Sequence, residues 1–242
     1  MDTAPPIILL ARMDSKRLPG KALADVCGRP LLTRVVERLR CVRDRVPSPA
    51  GPIVLATTSR SVDDAVEAWA LKEGVGIHRS ERPTDDVAGR FLDAARIDGA
   101  SVGGHVWAFR VNGDSPLVDP GLLAAAAELV RPGVDLVTNL VPRRFPYGVA
   151  VELVRLEVLA SRLQHAAPED REHVTRILYR ELPLDRIASV PGGDPGWASL
   201  RATVDAAEDL ERFRAFVEAE GERWPITPLR AVLAWARGGS PA

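Results

Sequence analysis

The sequence has almost no net charge, no long apolar run and few cysteines, and each absence excludes a class of protein. A formal net charge of −1 over 242 residues gives no overall field that would attract nucleic acid or an anionic membrane. No apolar run approaches the roughly 20 residues that span a bilayer, and residues 1–6 lack the basic start of a signal peptide. The two cysteines, Cys27 and Cys41, favour a reducing compartment. We therefore expect a cytoplasmic protein without a nucleic-acid or membrane partner.

Several common catalytic motifs are also missing. No G-x-G-x-x-G follows a predicted strand, which argues against a dinucleotide-binding fold, and no G-x-S-x-G elbow is present for acyl transfer. The four histidines are scattered and match no zinc spacing. The absence of any D-x-D pair argues against a metal-dependent glycosyltransferase. Residues 12–21 also lack the early glycine and the Ser/Thr of a Walker A loop.

Lysine is rare, and its distribution singles out one loop. The chain has three lysines, and two of them, Lys16 and Lys21, lie with two arginines in residues 12–21. This basic loop directly follows the apolar residues 7–11, which we predict to be a buried first strand. In α/β folds, a loop at the carboxyl end of the first parallel strand is a common place for phosphate binding. From charge alone, a solvated basic turn is the alternative interpretation.

Apolar runs and helical patterns alternate along the chain. Strands are predicted over residues 7–11, 53–56, 76–79, 106–111, 135–139, 149–154, 187–190 and 200–204. Helices are predicted to begin near residues 31, 61, 85, 120, 156, 171, 207 and 228, with Ser61 and Asp119 as candidate N-caps. This order is typical of a parallel sheet covered by helices on both faces. We predict one α/β domain over residues 1–242, a Rossmann-like α/β/α sandwich with a mostly parallel, mixed sheet.

Two aspartates follow predicted strands. Asp114 comes shortly after the strand over residues 106–111, and Asp205 directly follows the strand over residues 200–204. If the strand over residues 106–111 neighbours the first strand, both carboxylates approach the basic loop, because the carboxyl ends of parallel strands face one crevice. Two carboxylates beside a phosphate-binding loop suit Mg²⁺, which takes one or two carboxylates together with substrate phosphates. The alternatives are a turn role for Asp114 and a helix N-cap role for Asp205.

Five motifs in a fixed order carry a resemblance to a known family. The segment R-x-x-S-x-R-L-P-G-K over residues 12–21 is similar to the N-terminal signature of sugar nucleotidyltransferases that use CTP. The later motifs are D-V-A-G-R-F (86–91), G-D-S-P-L-V-D-P (113–120), R-E-H-V-T (171–175) and T-V-D-x-x-E-D-L-E (203–211). Over about residues 7–215 the chain resembles the spore coat polysaccharide biosynthesis cytidylyltransferases, relatives of the enzymes that make CMP-Kdo and CMP-sialic acid.

The resemblance implies a Mg²⁺-dependent cytidylyltransferase that moves CMP from CTP to an acceptor oxygen of a sugar, sugar acid or related anionic molecule and releases pyrophosphate. By this resemblance Arg12, Arg17 and Lys21 are catalytic and bind the triphosphate, while Asp114 and Asp205 hold Mg²⁺. The other implied nucleotide contacts are Ala11, Ser15, Arg90 and Asp114. Thr57 and Thr58, at the end of the second strand, could hydrogen-bond the cytosine edge, with ordinary turn formation as the alternative. The implied acceptor contacts are Arg144, Tyr147, Glu152, Glu172 and His173.

The chain departs from the family pattern at several positions. Asp14 stands where the family usually has Gly, and Lys16 where it often has Thr. An acid in a phosphate loop weakens phosphate binding unless a cation or a metal offsets its charge. On the expected acceptor side, Tyr147 and Ala150 replace two aspartates, which indicates a different or less hydroxylated acceptor. The two arginines at residues 143–144 suit an anionic acceptor such as a carboxylate, phosphate or phosphonate.

Two other functions stay open on the sequence. One is a glycosyltransferase of similar fold that uses a nucleotide sugar. The other is a nucleotide-binding module without turnover, suggested by the substitutions at Asp14, Tyr147 and Ala150. Because the resembled proteins are commonly dimers, we expect a homodimer whose interface lies within about residues 141–191, the expected acceptor side.

Overall fold

The computed structural model describes residues 4–44, 48–97, 101–102 and 105–238. Its strands are β1 (Ile7–Leu10), β2 (Asp25–Val26), β3 (Arg29–Pro30), β4 (Ile53–Thr58), β5 (Gly76–Ser80), β6 (Ser101–Val102), β7 (His105–Asn112), β8 (Leu136–Thr138), β9 (Glu152–Arg155) and β10 (Ile187–Ser189). Its helices are α1 (Leu31–Arg43), α2 (Asp64–Glu73), α3 (Val87–Ile97), α4 (Pro120–Ala127), α5 (Leu156–Leu163), α6 (Pro168–Glu172), α7 (Arg176–Glu181), α8 (Ala207–Glu220) and α9 (Leu229–Ala236). Within these described ranges, no helix has the length and apolar character needed to span a membrane.

One mixed sheet organises the chain, in the strand order β10-β8-β9-β7-β1-β4-β5, with β6 paired to β7. Strand β9 runs antiparallel to β7 and β8, whereas β1 is parallel to both of its neighbours, β4 and β7. The register places Ile7 of β1 beside Ile53 on one side and Phe109 on the other. The predicted α/β/α sandwich with a mostly parallel, mixed sheet is therefore confirmed, and the strand that precedes Asp114 does neighbour the first strand.

The alternating side chains of β1 connect two layers of core. Ile7 and Leu9 pack with apolar residues of α1, α2 and α4 on one face of the sheet. Ile8 and Leu10 pack with α3, α5 and α7 on the other face. A third cluster lies beside the sheet and joins the β2–β3 hairpin to α8 and α9 through Phe213, Phe216, Trp224 and Trp235. Burial of the strand on both faces explains why the run of residues 7–11 is continuously apolar.

Local signals account for several helix boundaries. The carboxylate of Asp119 accepts hydrogen bonds from the amides of Gly121 and Leu122 at 2.8 and 3.1 Å, so its predicted role as the N-cap of α4 is confirmed. Gly74 ends α2 in the left-handed conformation, with a φ of 64°. The predicted N-cap role of Ser61 is wrong, because Ser61 lies inside a 3₁₀ turn, Ser61–Asp63, that precedes α2.

Three predicted elements differ from the structure. The strand expected over residues 149–154 begins later, at Glu152. The helix expected from residue 171 divides into α6 and α7, because the backbone of Val174 turns to a positive φ of 48°. Residues 200–204 form no strand of the sheet. Instead, an isolated parallel bridge pairs Arg201 with Tyr147. The amide of Val204 also donates to the carbonyl of Asp114 at 2.9 Å.

Candidate active site

A cavity of about 390 Å³ opens where β1 and β7 end. Because these strands are parallel neighbours, their carboxyl ends bring the basic loop and the segment around Asp114 together. Gly113 allows the close approach, since a Cβ at this position would lie 2.9 Å from the Cβ of Ala11. Of the predicted site residues, those that line this cavity are Ala11, Arg12, Ser15, Arg17, Lys21, Arg90, Asp114, Glu172, His173 and Asp205. We call it the nucleotide cavity.

Backbone hydrogen bonds shape the basic loop. The amide of Gly20 donates to the carbonyl of Met13 at 2.8 Å, and Gly20 has a φ of 75°, which glycine adopts without steric cost. The amide of Met13 in turn donates to the carboxylate of Asp63 at 2.7 Å. Asp63 is buried and also accepts a hydrogen bond from the hydroxyl of Thr58. The loop is thus closed on itself and fastened to the segment that follows β4.

The ammonium group of Lys21 lies between the two predicted metal-binding aspartates. Its Nζ is 2.9 Å from Asp114 Oδ2 and 3.2 Å from Asp205 Oδ1, and it donates to the carbonyl of Val204 at 3.0 Å. The Lys21 side chain is only 12% exposed, so these contacts are screened less by solvent than those of a surface ion pair. A single cation therefore joins the basic loop, the end of β7 and the segment before α8.

Two arginines and a threonine hydroxyl also bind the carboxylate of Asp205. Arg17 lies 2.8 Å from Oδ1, while Arg201 and Thr203 donate to Oδ2 at 2.9 and 3.0 Å. Burial by itself raises the pKa of Asp205. The opposite effects are larger, so the pKa lies below the ordinary value: they come from the charge and hydrogen bond of Lys21, the hydrogen bond of the Thr203 hydroxyl and the charge of Arg17. The alternative interpretation of Asp205 as an N-cap does not hold, because Ala206 is the N-cap of α8.

Asp14, the acid that departs from the family pattern, is paired with two arginines. Its carboxylate binds Arg60, which follows β4, and lies 3.3 Å from the Nε of Arg12 in the same loop. Burial raises the pKa of Asp14, but the hydrogen bond from Arg60 and the charges of Arg12 and Arg60 lower it below the ordinary value. Asp14 therefore orients Arg12 and adds a second fastening between the basic loop and the end of β4.

Replacing Asp14 with asparagine is expected to lower the free energy of unfolding at neutral pH by up to about 1 kcal/mol, the usual range for a partly exposed ion pair. Because the folded-state pKa lies below the unfolded value of 3.8, the stabilisation is complete above that pH and disappears as the pH falls through the folded pKa. Urea denaturation at several pH values measures this. Asp185→Asn, at an exposed position, is the control. A difference between wild type and Asp14→Asn that persists unchanged in acid would contradict this role.

A second cavity, of about 300 Å³, adjoins the nucleotide cavity. Arg110, Asn112 and His173 line both, so the two spaces meet at these side chains. The remaining wall comes from Ser115, from residues 140–150, from β9, from the connection between α6 and α7 and from α7 itself. We call it the acceptor cavity, because three of the five residues predicted to contact an acceptor, Tyr147, Glu152 and His173, line it.

The predicted acceptor residues divide between the two cavities and the surface. Tyr147 and Glu152 line the acceptor cavity, and Glu172 lines the nucleotide cavity. Arg144 is exposed and lines neither, whereas the neighbouring Arg143 does line the acceptor cavity. Of these two arginines, only Arg143 is therefore placed at the acceptor cavity.

Tyr147 is half exposed and lies between two guanidinium groups. Arg143 and Arg201 are 5.4 and 5.1 Å from the centre of its ring, which are distances typical of cation–π contacts. Arg201 also binds Asp205. Tyr147, which replaces a family aspartate, is thus connected through Arg201 to the carboxylate of Asp205, which Lys21 also binds.

Glu152 and Arg110 form a buried ion pair beneath both cavities. Glu152 Oε2 accepts from Arg110, while its Oε1 accepts from the hydroxyls of Thr175 and Tyr179, each at 2.6 Å. Burial raises the pKa of Glu152, but the charge of Arg110 and the three hydrogen bonds lower it below the ordinary value. Both carboxylate oxygens are occupied within the protein, so Glu152 supports the cavity wall through Arg110, Thr175 and Tyr179.

Sequence reasoning placed two threonines at the nucleotide and missed several lining residues. The side chains of Thr57 and Thr58 are buried and do not line the nucleotide cavity, because β4 carries them into the interior. Among the missed lining residues are Arg110, Asn112, Thr175, Arg176 and Tyr179. For Arg110, the signal was present: an arginine within an apolar strand needs a buried partner.

The site combines a cationic loop after the first strand, two carboxylates beside it and an adjoining second cavity. On an α/β/α sheet these features are typical of an enzyme that binds a nucleotide and a second substrate. The family model for cytidylyltransferases matches residues 6–224, so the chain belongs to the cytidylyltransferase family. The family resemblance and the predicted enzyme class are therefore confirmed.

Relatives of known name agree with this assignment. The chain is 31% identical over 224 residues to the spore coat polysaccharide biosynthesis protein SpsF of Bacillus subtilis, covering 89% of this chain and 87% of that protein. It is 32% identical over 237 residues to the 3-deoxy-manno-octulosonate cytidylyltransferase of Rhodospirillum centenum, covering 95% of this chain and 82% of that protein. A solved cytidylyltransferase from Leptospira borgpetersenii has a TM-score of 0.77 at 26% identity, over 90% of this chain and 88% of that one. A CMP-2-keto-3-deoxy-manno-octonic acid synthetase solved with CTP shares the fold, with a TM-score of 0.59 at 20% identity. The match covers 90% of this chain and 100% of that one.

Proposed function

We propose that this protein transfers CMP from CTP to an oxygen of a sugar acid or related anionic acceptor and releases pyrophosphate. The observation that carries the proposal is the ammonium of Lys21, which lies between Asp114 and Asp205 at the floor of a cavity lined by a basic loop. Arg12, Arg17 and Lys21 would neutralise the triphosphate and the pyrophosphate that leaves. Charged donors fixed in this way favour the transition state because negative charge moves onto the leaving group.

We propose Mg²⁺ as the cofactor, held by Asp114 and Asp205. In the part of the chain that is described, no three or more His, Cys, Asp and Glu side chains are arranged so that they could hold a metal ion. Two carboxylates nevertheless suit Mg²⁺, which completes its coordination with phosphate oxygens and water. When bound, the ion would polarise the α-phosphate and neutralise charge on the phosphates. With Asp114 and Asp205 neutralised in this way, the ammonium of Lys21 would be free to bind the phosphates.

Replacing Asp114 with asparagine is expected to lower the affinity for Mg²⁺ in the presence of CTP at least about tenfold, because even the loss of a group that orients a metal ligand costs this much. Isothermal calorimetry of Mg²⁺ titrated into protein and CTP, without acceptor, measures the change. Asp185→Asn is the matched control at an exposed position. Unchanged Mg²⁺ affinity in Asp114→Asn would contradict the metal assignment.

The acceptor cavity supports the anionic class of acceptor. Arg143, Arg176 and His173 line it, whereas the carboxylate of Glu152 is neutralised by Arg110. The relative from Rhodospirillum centenum is named for 3-deoxy-manno-octulosonate, a sugar acid. Guanidinium groups bind carboxylates and phosphates through paired hydrogen bonds, so an acceptor with such a group fits this wall.

A screen of pyrophosphate release tests the proposal. Each of the four nucleoside triphosphates is combined with sugar acids, sugar phosphates and phosphonates, and the products are analysed by mass spectrometry. We expect a CMP conjugate with CTP and an anionic acceptor. A transferred sugar with free nucleotide would identify a glycosyltransferase. Tight CTP binding without turnover across the panel would identify a binding module. Either of the last two results would contradict the proposal.

We also propose a homodimer in the cytoplasm, with the interface within about residues 141–191. This segment contains β10, the last strand at one side of the sheet, and the exposed side chain of Leu184. An unpaired strand edge beside an exposed apolar residue is a common contact between copies of a chain. Light scattering should give twice the chain mass of 26.2 kDa, and a monomer would contradict the proposal.

A further inference from the structure

His173 lies where the two cavities meet. Its side chain is exposed and lines both the nucleotide cavity and the acceptor cavity. The other two residues shared by the cavities are Arg110 and Asn112, and neither an arginine nor an amide accepts a proton readily at neutral pH. If CTP occupies the nucleotide cavity and the acceptor occupies the second cavity, as proposed above, the imidazole lies where the two substrates meet.

The backbone around His173 is held in an unfavourable conformation. Val174 has a φ of 48°, which is unusual for a β-branched residue, and the amide of Thr175 donates to the carbonyl of His173 at 2.6 Å across it. The Val174 side chain is fully buried, and the Thr175 hydroxyl binds Glu152. An unfavourable backbone conformation persists only where the surrounding contacts enforce it, and such conformations are concentrated at functional sites.

A second anchor holds α6, the helix that precedes His173. Arg171 pairs with Asp86 at the start of α3 at 3.4 Å and donates to the carbonyl of Leu163 at 2.7 Å. The turn that carries His173 is therefore fixed from both sides.

Other groups near the junction are less suited to accept a proton. The charged and titratable side chains around His173 are Glu172, Arg176, Tyr179, Arg90, Arg110 and Glu152. Glu152 is buried and fully hydrogen-bonded, and Glu172 lines the nucleotide cavity alone. Burial and the nearby Glu152 raise the pKa of Tyr179 far above its ordinary value, so its phenol keeps its proton.

The remaining charged groups lie further along the two walls. The nucleotide cavity adds the cations of the basic loop with Asp114 and Asp205, and both carboxylates are bound to Lys21. The acceptor cavity adds Arg143 and Tyr147, and the guanidinium of this arginine lies over the tyrosine ring. Neither set offers a free base at the junction.

Building on the proposed function, we propose that His173 is a catalytic general base that takes the proton from the attacking hydroxyl of the acceptor. As the O–H bond breaks, the acceptor oxygen forms a bond to the α-phosphorus of CTP. The bond from that phosphorus to the bridging oxygen of the β-phosphate breaks, and pyrophosphate leaves with the electron pair. The proton is then on the imidazole, which releases it to solvent before the next turnover.

The test compares His173→Asn and His173→Gln with His165→Asn, the same substitution at an exposed histidine that contacts Glu181 and lines neither cavity. We expect kcat of both His173 variants to fall on the order of 10²-fold, the lower end of general-base contributions, with little change in the KM for CTP. In the wild type and in His165→Asn, kcat should rise with pH, because a general base acts only in its deprotonated form. This rise should be absent in both His173 variants.

Three results would overturn the inference. One is a kcat near that of wild type in both His173 variants, when circular dichroism shows that they are folded. Another is an unchanged rise of kcat with pH in these variants. The third is an increase in the acceptor KM alone, which would make His173 a binding residue. In each case the wild type would still form the CMP conjugate, so the proposed function would stand. A wild type that forms no conjugate with any acceptor would overturn both.

Discussion

Replacing Lys21 with alanine is expected to lower kcat/KM for CTP at least about 10²-fold, the effect typical of removing one preorganised charge contact from a transition state. The ammonium lies 2.9 Å from Asp114 and 3.2 Å from Asp205, so the substitution removes a cation and leaves two carboxylates facing the triphosphate. Both changes raise the cost of gathering negative charge in the nucleotide cavity. Steady-state kinetics with CTP as the varied substrate measures the loss.

Lys72→Ala is the matched control for this experiment. Lys72 is an exposed lysine in α2 and does not line the nucleotide cavity. We expect its kcat/KM to equal that of wild type. A Lys21→Ala enzyme that retains wild-type kcat/KM while remaining folded would contradict the role of the basic loop.

Replacing Glu152 with glutamine is expected to lower the free energy of unfolding by about 3 kcal/mol or more, because removing one partner of a buried ion pair leaves an uncompensated charge. The remaining charge would be Arg110, whose side chain is only 18% exposed. The hydroxyls of Thr175 and Tyr179 also lose a charged acceptor. Urea denaturation followed by circular dichroism measures the change.

Glu218→Gln makes the same chemical change at an exposed position in α8 and should alter stability by at most about 0.5 kcal/mol, as surface substitutions usually do. The effect of Glu152→Gln should also reach the site, because Arg110 lines both cavities. Equal stability of the Glu152→Gln and Glu218→Gln variants would show that the buried pair is not required for the fold.

The sequence predicts best those parts of the site that depend on the ends of strands. The apolar run before the basic loop indicated β1, and the parallel pairing of β1 with β7 brings Asp114 to the loop, as the general geometry of α/β sheets requires. Asp205 also lies beside the basic loop, but the contacts that place it there cannot be predicted from the local sequence pattern. The alternation before it indicated a strand, but the segment is held by a bridge to Tyr147 and by a hydrogen bond to the carbonyl of Asp114.

Contacts between distant segments were not predictable. Arg110 and Glu152 are charged residues inside predicted strands, yet their pairing depends on the antiparallel register of β7 and β9. Asp14 was unexplained because its partner Arg60 lies 46 residues further along the chain. The positive φ of Val174 is also set by packing, since nothing in the type of this residue favours it. Periodicity identifies which elements form, whereas these side-chain partners depend on how the elements pack.

The transfer of CMP itself can be followed with labelled CTP. Wild-type protein is incubated with Mg²⁺ and a sugar acid, using CTP labelled in one sample at the α-phosphate and in another at the γ-phosphate. If the basic loop, Asp114 and Asp205 form a cytidylyl-transfer site, the α-label appears in the acceptor conjugate and the γ-label in pyrophosphate. Recovery of the α-label only in free CMP or unchanged CTP, with every acceptor of the screen, would contradict the account.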